Sequence, residues 1–318
     1  MDLRQLNALL AVADTGSFSA AARALHTVQS NVSTHVARLE RELDSTLVDR
    51  ASGTLTEEGE VVAARARIVA RELDALVSDL SALHADVVGR VRLGVIGTTG
   101  RWLVPPLVVA LEERFPHVRL VIVDATTSSL LPQVINGSLD LAVINLPADE
   151  PELVTEPLFD EDPVLVTPTN HPLATADRVT LAEVAQHRVL LEPQGTGFRD
   201  LIDEHALAAG VTLNPLAEID GMRLLASLAF QGFGPAILPA SAAPGWIGGD
   251  WKRVPVDGLD GRTVGLALRR RGLVPAPVRA MRDVLRDVVS AEAPAQFGIR
   301  PAEAMTGAVD ERAGRGSA

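Results

Sequence analysis

The chain opens with apolar residues at helical spacing. Leu3, Leu6, Leu10 and Ala13 return every three or four positions and predict a first helix over about residues 2–13. "DTGSFS" breaks it, with Gly16 as the stop signal and Ser19 positioned to cap the next helix. "AAARAL" gives a short helix whose small side chains let a neighbour approach closely. After "HTV" a third helix places Val32, Val36, Leu39 and Leu43 on an inward stripe, with Thr27 or Ser30 left to cap it. Gln29, Ser30, Ser33, Thr34, Ala37, Arg38 and Arg41 then fall on or near the outer side. In "LVDRASGTLTEEGE", Arg50 precedes a turn suited to a small hairpin, and Thr56 caps a helix carrying Glu57 and Glu58 where its dipole favours them. Helix, turn, helix, wing and long helix predict a winged helix-turn-helix over residues 1–58.

The outer face of the third helix is unlike an ordinary solvated surface, which would be rich in Glu and Lys. Its first two turns carry short, uncharged hydrogen-bonding groups, and arginine comes later. Amides and hydroxyls can address base edges while keeping a helix slim enough for the major groove. The competing reading is a solvated face that happens to be polar.

Residues 59–88 form one helical run. Val62, Val69, Leu76 and Leu83 lie seven apart, with Ala66, Leu73 and Leu80 between them. Offsets alternating between four and three make a coiled-coil seam, and so a dimerisation helix. The alternative is an amphipathic helix lying on its own domain.

From Gly89 the texture changes to short apolar strands alternating with helices: "VRLGVI", "VRLVIV", "LDLAVI", "PVLVTP", "RVLLE", "PAILP", "VGLALR". This predicts an α/β domain over 89–292 with a largely parallel sheet. Ligands of such sheets bind beyond the carboxyl ends of the strands. Those ends are Thr98, Thr99 and Arg101, then Thr126, Thr127 and Ser128, then Asn145, with Thr196, Gly197 and Phe198 opening a later helix. Hydroxyls and free N–H groups at helix starts suit an anion, although each threonine taken singly is also an ordinary helix cap.

Composition trims the alternatives. The chain has 318 residues, no cysteine and a net charge of −12. Thiol nucleophiles, disulfides and thiolate metal sites are excluded, and nonspecific coating of nucleic acid is disfavoured. Residues 1–58 carry five arginines against eight carboxylates, so DNA contact there depends on local placement of a few side chains. The seven histidines show no metal-ligand spacing, and the single lysine, Lys252, has no phosphate-binding glycine loop beside it. No metal, no cofactor and no enzymatic activity are expected. The opening residues do not read as a signal peptide and no apolar run approaches the ~20 residues of a membrane span, so the expectation is a cytoplasmic protein without membrane contact. Residues 293–318, rich in Ala, Gly and Pro, read as a disordered tail.

"LRQLNALLAVADTGSFSAAARALHTVQSNVSTHVARLERELDSTLVDR" followed by "LTEEGE" resembles the DNA-binding module of LysR-type transcriptional regulators. "NHPLA" and "FQGFGPAILP" resemble parts of that family's effector domain, which is itself similar to periplasmic solute-binding proteins. Residues 2–292 are covered. Val28, Gln29 and Ser30 stand where the family often has Ser-Gln-Pro, and Thr34 where a longer basic residue is common. The resemblance implies a two-lobed effector domain, the first lobe at about 90–162 plus 267–292 and the second at about 163–266. It implies base contacts near Gln29, Ser33 and Thr34, with Arg50 at the wing near the DNA backbone. It also implies an effector cleft lined by Thr98, Thr126 and Thr196. The partners implied are double-stranded DNA bearing an interrupted dyad, a small effector, and further copies of the chain in a homodimer or homotetramer. A solute receptor without transcriptional role is the alternative, and an enzyme ranks behind it.

Overall fold

The computed structural model of the protein describes residues 1–83 and 86–302. Its first helix, α1 (Leu3–Thr15), is closed at the start by a capping box between Asp2 and Gln5, and at the end by Gly16 at φ +69°. Leu6, Leu9 and Val12 form its buried face, while Leu3 is exposed. The apolar stripe is therefore rotated from the one expected through Leu3, Leu10 and Ala13, because α2 and α3 cover the neighbouring side. In α2 (Phe18–Ala24) the cap is Ser17, which accepts from Ala20 N–H, and not Ser19.

Helix α3 (Gln29–Leu43) buries Val32, Val36 and Leu39 against Leu9, Val12, Leu47 and Val48. Leu43, at the last turn, is exposed. Neither Thr27 nor Ser30 caps the helix; Val28 occupies the position, and Thr27 Oγ1 accepts from Asn31 Nδ2 at 3.0 Å. Val48 and Leu55 pair as a single antiparallel bridge, the wing, and Thr56 caps α4 (Glu57–Ala82) by accepting from Gly59 N–H.

Helix α4 changes partner along its length. Ala63 and Ala66 are buried in the N-terminal core and Val62 packs against it. These first positions of the expected seam are thus used within the module, where the small alanines let α4 approach closely. Further on, Arg71 reaches the first lobe of the effector domain, donating to Asp140 Oδ1 at 2.8 Å and to the Leu139 carbonyl at 2.9 Å. Burial brings the pKa of the Arg71 guanidinium down to about 10, against the pull of Asp140 in the other direction. Ala75 and Ser78 are also buried, and Asp79 accepts from Ala276 N–H at 2.8 Å. Val69, Leu73, Leu76, Leu80 and Leu83 remain exposed. Leu83 lies one residue beyond the helix, and the next two residues, 84 and 85, are outside the described set.

The effector domain has two lobes, each around a six-stranded sheet. The first holds β1 (Gly89–Val95), β2 (Val118–Asp124), β3 (Leu141–Leu146) and β4 (Leu153–Glu161), with α5 (Gly97–Arg114) and α6 (Thr127–Ile135) between them. The second holds β5 (Pro163–Pro168), β6 (Val179–Thr180), β7 (Arg188–Leu191), β8 (Asn214–Glu218), β9 (Ala236–Pro239) and β10 (Trp251–Asp257). Its helices include α7 (Leu181–Val184), α8 (Gly197–Ala208) and α9 (Met222–Phe230). The chain then returns through β11 (Arg262–Arg269) and α10 (Ala276–Glu292) to the first lobe, where β12 (Ile299–Pro301) is the last described strand.

Three expectations are corrected. The sheets are mixed, since β11 runs antiparallel to both β3 and β4, and β5 antiparallel to β9 and β10. All of β11 belongs to the first lobe, so the return crossing lies before Arg262 and not at 267. Finally, residues 293–302 are ordered: β12 pairs with β4, and Ala293, Ile299 and Ala302 are buried. A few apolar side chains suffice there because β4 offers an otherwise unpaired edge. The rest of the expected tail, 303–318, lies outside the described residues.

Candidate nucleic-acid interface and effector cleft

On α3, Gln29, Ser30, Asn31, Thr34 and Arg38 are exposed and Ser33 is half-buried. Several of these groups are held by neighbours. Gln29 Oε1 accepts from Ser19 Oγ at 2.9 Å, and Thr34 Oγ1 donates to the Ser30 carbonyl at 2.7 Å. Ser33 Oγ accepts from Arg50 Nη1 at 3.1 Å. Arg50 is folded back onto the module, paired to Glu40 at 2.7 Å and stacked over Phe18 at 4.8 Å. It therefore orders the wing against α3, and part of its charge is neutralised. Arg38 has no ion pair among the described residues and stands free on the same face. Asn31 was missed from the sequence; with Thr27, Thr34 and Arg38 it makes an exposed row at i, i+4, i+7 and i+11, and that spacing was the available signal.

In the effector domain the residues at the strand ends separate into two groups. Thr98, in the first turn of α5, accepts from Arg262 Nη2 at 3.1 Å, and the Arg262 guanidinium lies 5.9 Å over the Phe198 ring. Thr98 of the first lobe, Arg262 at the crossing and Phe198 of the second lobe thus meet at one place. Thr126 precedes α6 without capping it, and its hydroxyl bonds Ser128 Oγ at 3.1 Å and Ser129 Oγ at 3.0 Å. Thr127 Oγ1 accepts from Asn145 N–H at 3.1 Å, which joins the ends of β2 and β3. Thr196 precedes α8, donates to the Pro193 carbonyl at 3.0 Å and stands 3.5 Å from Glu192 Oε2; Gly197 beside it is exposed. Thr99 does not belong with them, being fully enclosed. Arg101 is partly buried with an unpartnered Nη1, and no contact brings it to the other groups.

One ion pair and one hydrogen bond tie the lobes together. Glu161, the last residue of β4 and fully buried, pairs with Arg262 at 2.8 Å and accepts from Ser241 N–H of the second lobe. Asp124, at the end of β2, pairs with Arg223 of α9 at 2.6 Å. Gly97 lies beneath this pair: a Cβ there would come within 2.8 Å of Asp124 Oδ1. None of Glu161, Glu192, Arg223 or Arg262 was picked out from the sequence. Their one signal is a charged residue at the end of an apolar strand or at a lobe crossing, which many surface residues share.

Among the described residues no group of His, Asp and Glu could hold a metal ion, and no helix is long and apolar enough to cross a membrane.

The family model for the bacterial regulatory helix-turn-helix protein of the lysR family matches residues 3–60, and that for the LysR substrate binding domain matches 84–290. A probable hydrogen peroxide-inducible genes activator of Streptomyces viridosporus is 34% identical over 298 residues, 90% of this chain and 95% of that protein. The DNA-binding transcriptional dual regulator OxyR of Escherichia coli K12 is 30% identical over 246 residues, 77% of this chain and 81% of that one. Among solved structures, a full-length OxyR from Pseudomonas aeruginosa, in a cysteine-to-aspartate variant, superposes with a TM-score of 0.75 at 25% identity, covering 95% of this chain and 98% of that one. Full-length CbnR with its target DNA shares the fold, with a TM-score of 0.66 at 22% identity, covering 91% and 100%. With its helix-turn-helix, its two-lobed α/β domain and both family models matched in order, this chain belongs to the LysR family of DNA-binding transcriptional regulators.

Proposed function

We propose that the protein regulates transcription as a homodimer or tetramer on an interrupted dyad in duplex DNA, switched by a small anionic molecule held between its lobes in the cytoplasm. The observation that carries the switch is the meeting of Thr98, Arg262 and Phe198, which come from the first lobe, the crossing and the second lobe. A molecule touching all three has different contacts in open and closed lobes, and only such a difference can shift an equilibrium. Pairing of copies rests on the exposed stripe Val69, Leu73, Leu76 and Leu80, since α4 already spends its other face on its own chain. Base contact is assigned to Gln29, Ser30, Ser33 and Thr34, and phosphate contact to Arg38.

The Streptomyces viridosporus relative is named for hydrogen peroxide-inducible genes, and two OxyR neighbours in the solved structures are described by a substituted cysteine, one of them with peroxide bound. This chain has no cysteine. Peroxide oxidation of a thiol to a sulfenic acid or disulfide is therefore closed to it, and a bound effector takes the place of that chemistry. The test is a thermal-shift screen of the full chain against small organic acids and amino acids, where a ligand at 100 times its dissociation constant stabilises by ~2.7 kcal/mol. Thr98→Val should then weaken the binding of any hit while leaving effector-free DNA binding unchanged. Unaltered affinity would move the pocket elsewhere, and a loss of DNA binding would make Thr98 a structural residue.

A further inference from the structure

The charges around the cleft do not balance in the way an anion site alone requires. Arg262 has Glu161, and Arg223 has Asp124. Glu192 has no ion-pair partner among the described residues, although it is only partly exposed. Its one side-chain hydrogen bond among the described residues is to the Thr196 hydroxyl at 3.5 Å. Burial holds its carboxyl above the usual carboxylate range and the nearby Asp220 pushes the same way, while Thr196 and Arg262 pull it down. A desolvated carboxylate without a partner is costly, and a bound cation would recover that cost.

The position is as telling as the charge. Glu192 follows β7 and touches Thr196; two residues further on, Phe198 lies under the Arg262 guanidinium. The start of α8 therefore has near it both a carboxylate without an ion-pair partner among the described residues and a guanidinium. Arg262 gives Nε and Nη2 to Glu161 and Thr98, and Nη1 has no protein acceptor among the described residues. We propose that Glu192 receives a cationic amine, so that the effector is an amino-acid-like zwitterion whose carboxylate lies toward Arg262 and Thr98. This inference rests on the cleft between the lobes being the effector site, and it adds the chemical class of the ligand.

Calorimetry on the full chain tests it with matched sets: each proteinogenic amino acid, its deamino acid and its decarboxylated amine. At least one amino acid should bind tenfold or more tightly than both of its truncated forms. Glu192→Gln should bring the amino acid down to the affinity of its deamino acid and leave the deamino acid unaffected. Glu192→Asp, which keeps the charge at shorter reach, should preserve a reduced preference and guards against a merely structural effect of the amide. A deamino acid that binds as tightly as its parent overturns the inference while leaving the cleft itself in place. Retention of the amino-acid preference by Glu192→Gln also overturns it, because the group would then be a neutral hydrogen-bond donor. Amino-acid binding that survives both Thr98→Val and Glu192→Gln removes the inference and the cleft together.

Discussion

Helix α3 and the proposed effector cleft are opposite ways of building a functional surface. Helix α3 presents Gln29, Ser30, Ser33, Thr34 and Arg38 from one continuous segment, and its core side needs only Val32, Val36 and Leu39. The proposed cleft takes Thr98, Glu161, Glu192, Phe198 and Arg262 from separate segments of two lobes, with Glu161 fully buried beside Arg262. A surface built from one helix can lose a side chain without losing the fold. At a crossing some side chains cannot be spared, because Glu161, through Ser241, and Arg262, over Phe198, also join the lobes.

Six substitutions break or sharpen this contrast. The largest effect lies on neither surface but on helix α4, to which the pairing of copies is assigned. Leu73→Asp puts a charge on the exposed stripe of α4, and a buried unpaired charge in a seam costs several kcal/mol. Light scattering behind size exclusion should report loss of the dimer, with weaker DNA binding as a consequence; an unchanged oligomer would mean that α4 pairs with nothing beyond its own chain. Next comes Glu161→Ala, which leaves Arg262 without its buried partner at a cost of about 3–5 kcal/mol. The melting temperature should fall accordingly, and a change below about 1 kcal/mol would show that Thr98 and solvent hold Arg262 unaided. On α3 the effects should appear in binding, with stability almost unchanged. Gln29→Ala should relax discrimination at particular base pairs by about 1–3 kcal/mol. Arg38→Ala should instead weaken all sequences and flatten the salt dependence by ~0.9 for each phosphate no longer neutralised. Arg50→Ala should do this less, since Glu40 already neutralises part of its charge. Titrations on matched and altered sites at several salt concentrations separate the three, and equal salt slopes for Arg38 and Arg50 would erase the distinction.

The smallest effect is at His205 on α8, whose ring hydrogen-bonds at the Leu201 carbonyl and lies 3.2 Å from Asp260 near the crossing. The Leu201 carbonyl and then Asp260 raise its pKa above 6.5, favouring the protonated ring in the folded state. Its contribution is therefore fully present below pH 6.5 and is lost as the pH rises through the folded value. His205→Gln should remove that slope from the melting temperature between about pH 6 and pH 8. A slope identical to that of the parent chain would assign it to other groups.

Repeating local pattern was enough to place α1 to α4, the strands "VRLGVI", "VRLVIV" and "PAILP", and the family itself, because a helix or a buried strand writes its period into adjacent residues. The caps were less legible. Ser17 and Ser19 are both short hydroxyls near one helix start, and only the backbone path decided that Ser17 accepts from Ala20 while Ser19 turns to Gln29. The same limit applied to α4, where a regular heptad pattern covered two different fates: Ala66 enters its own module's core, while Leu73 and Leu80 stay outside. Strands β4 and β12, weakly patterned and partly polar, were invisible until they paired. Sequence alone determined the helix-turn-helix, the polar outer face of α3, the linker helix and the absence of any thiol. Tertiary structure decided which charges meet, since Glu161 and Arg262 stand about a hundred residues apart and the energy of a buried pair depends on distance and desolvation, which no local period encodes.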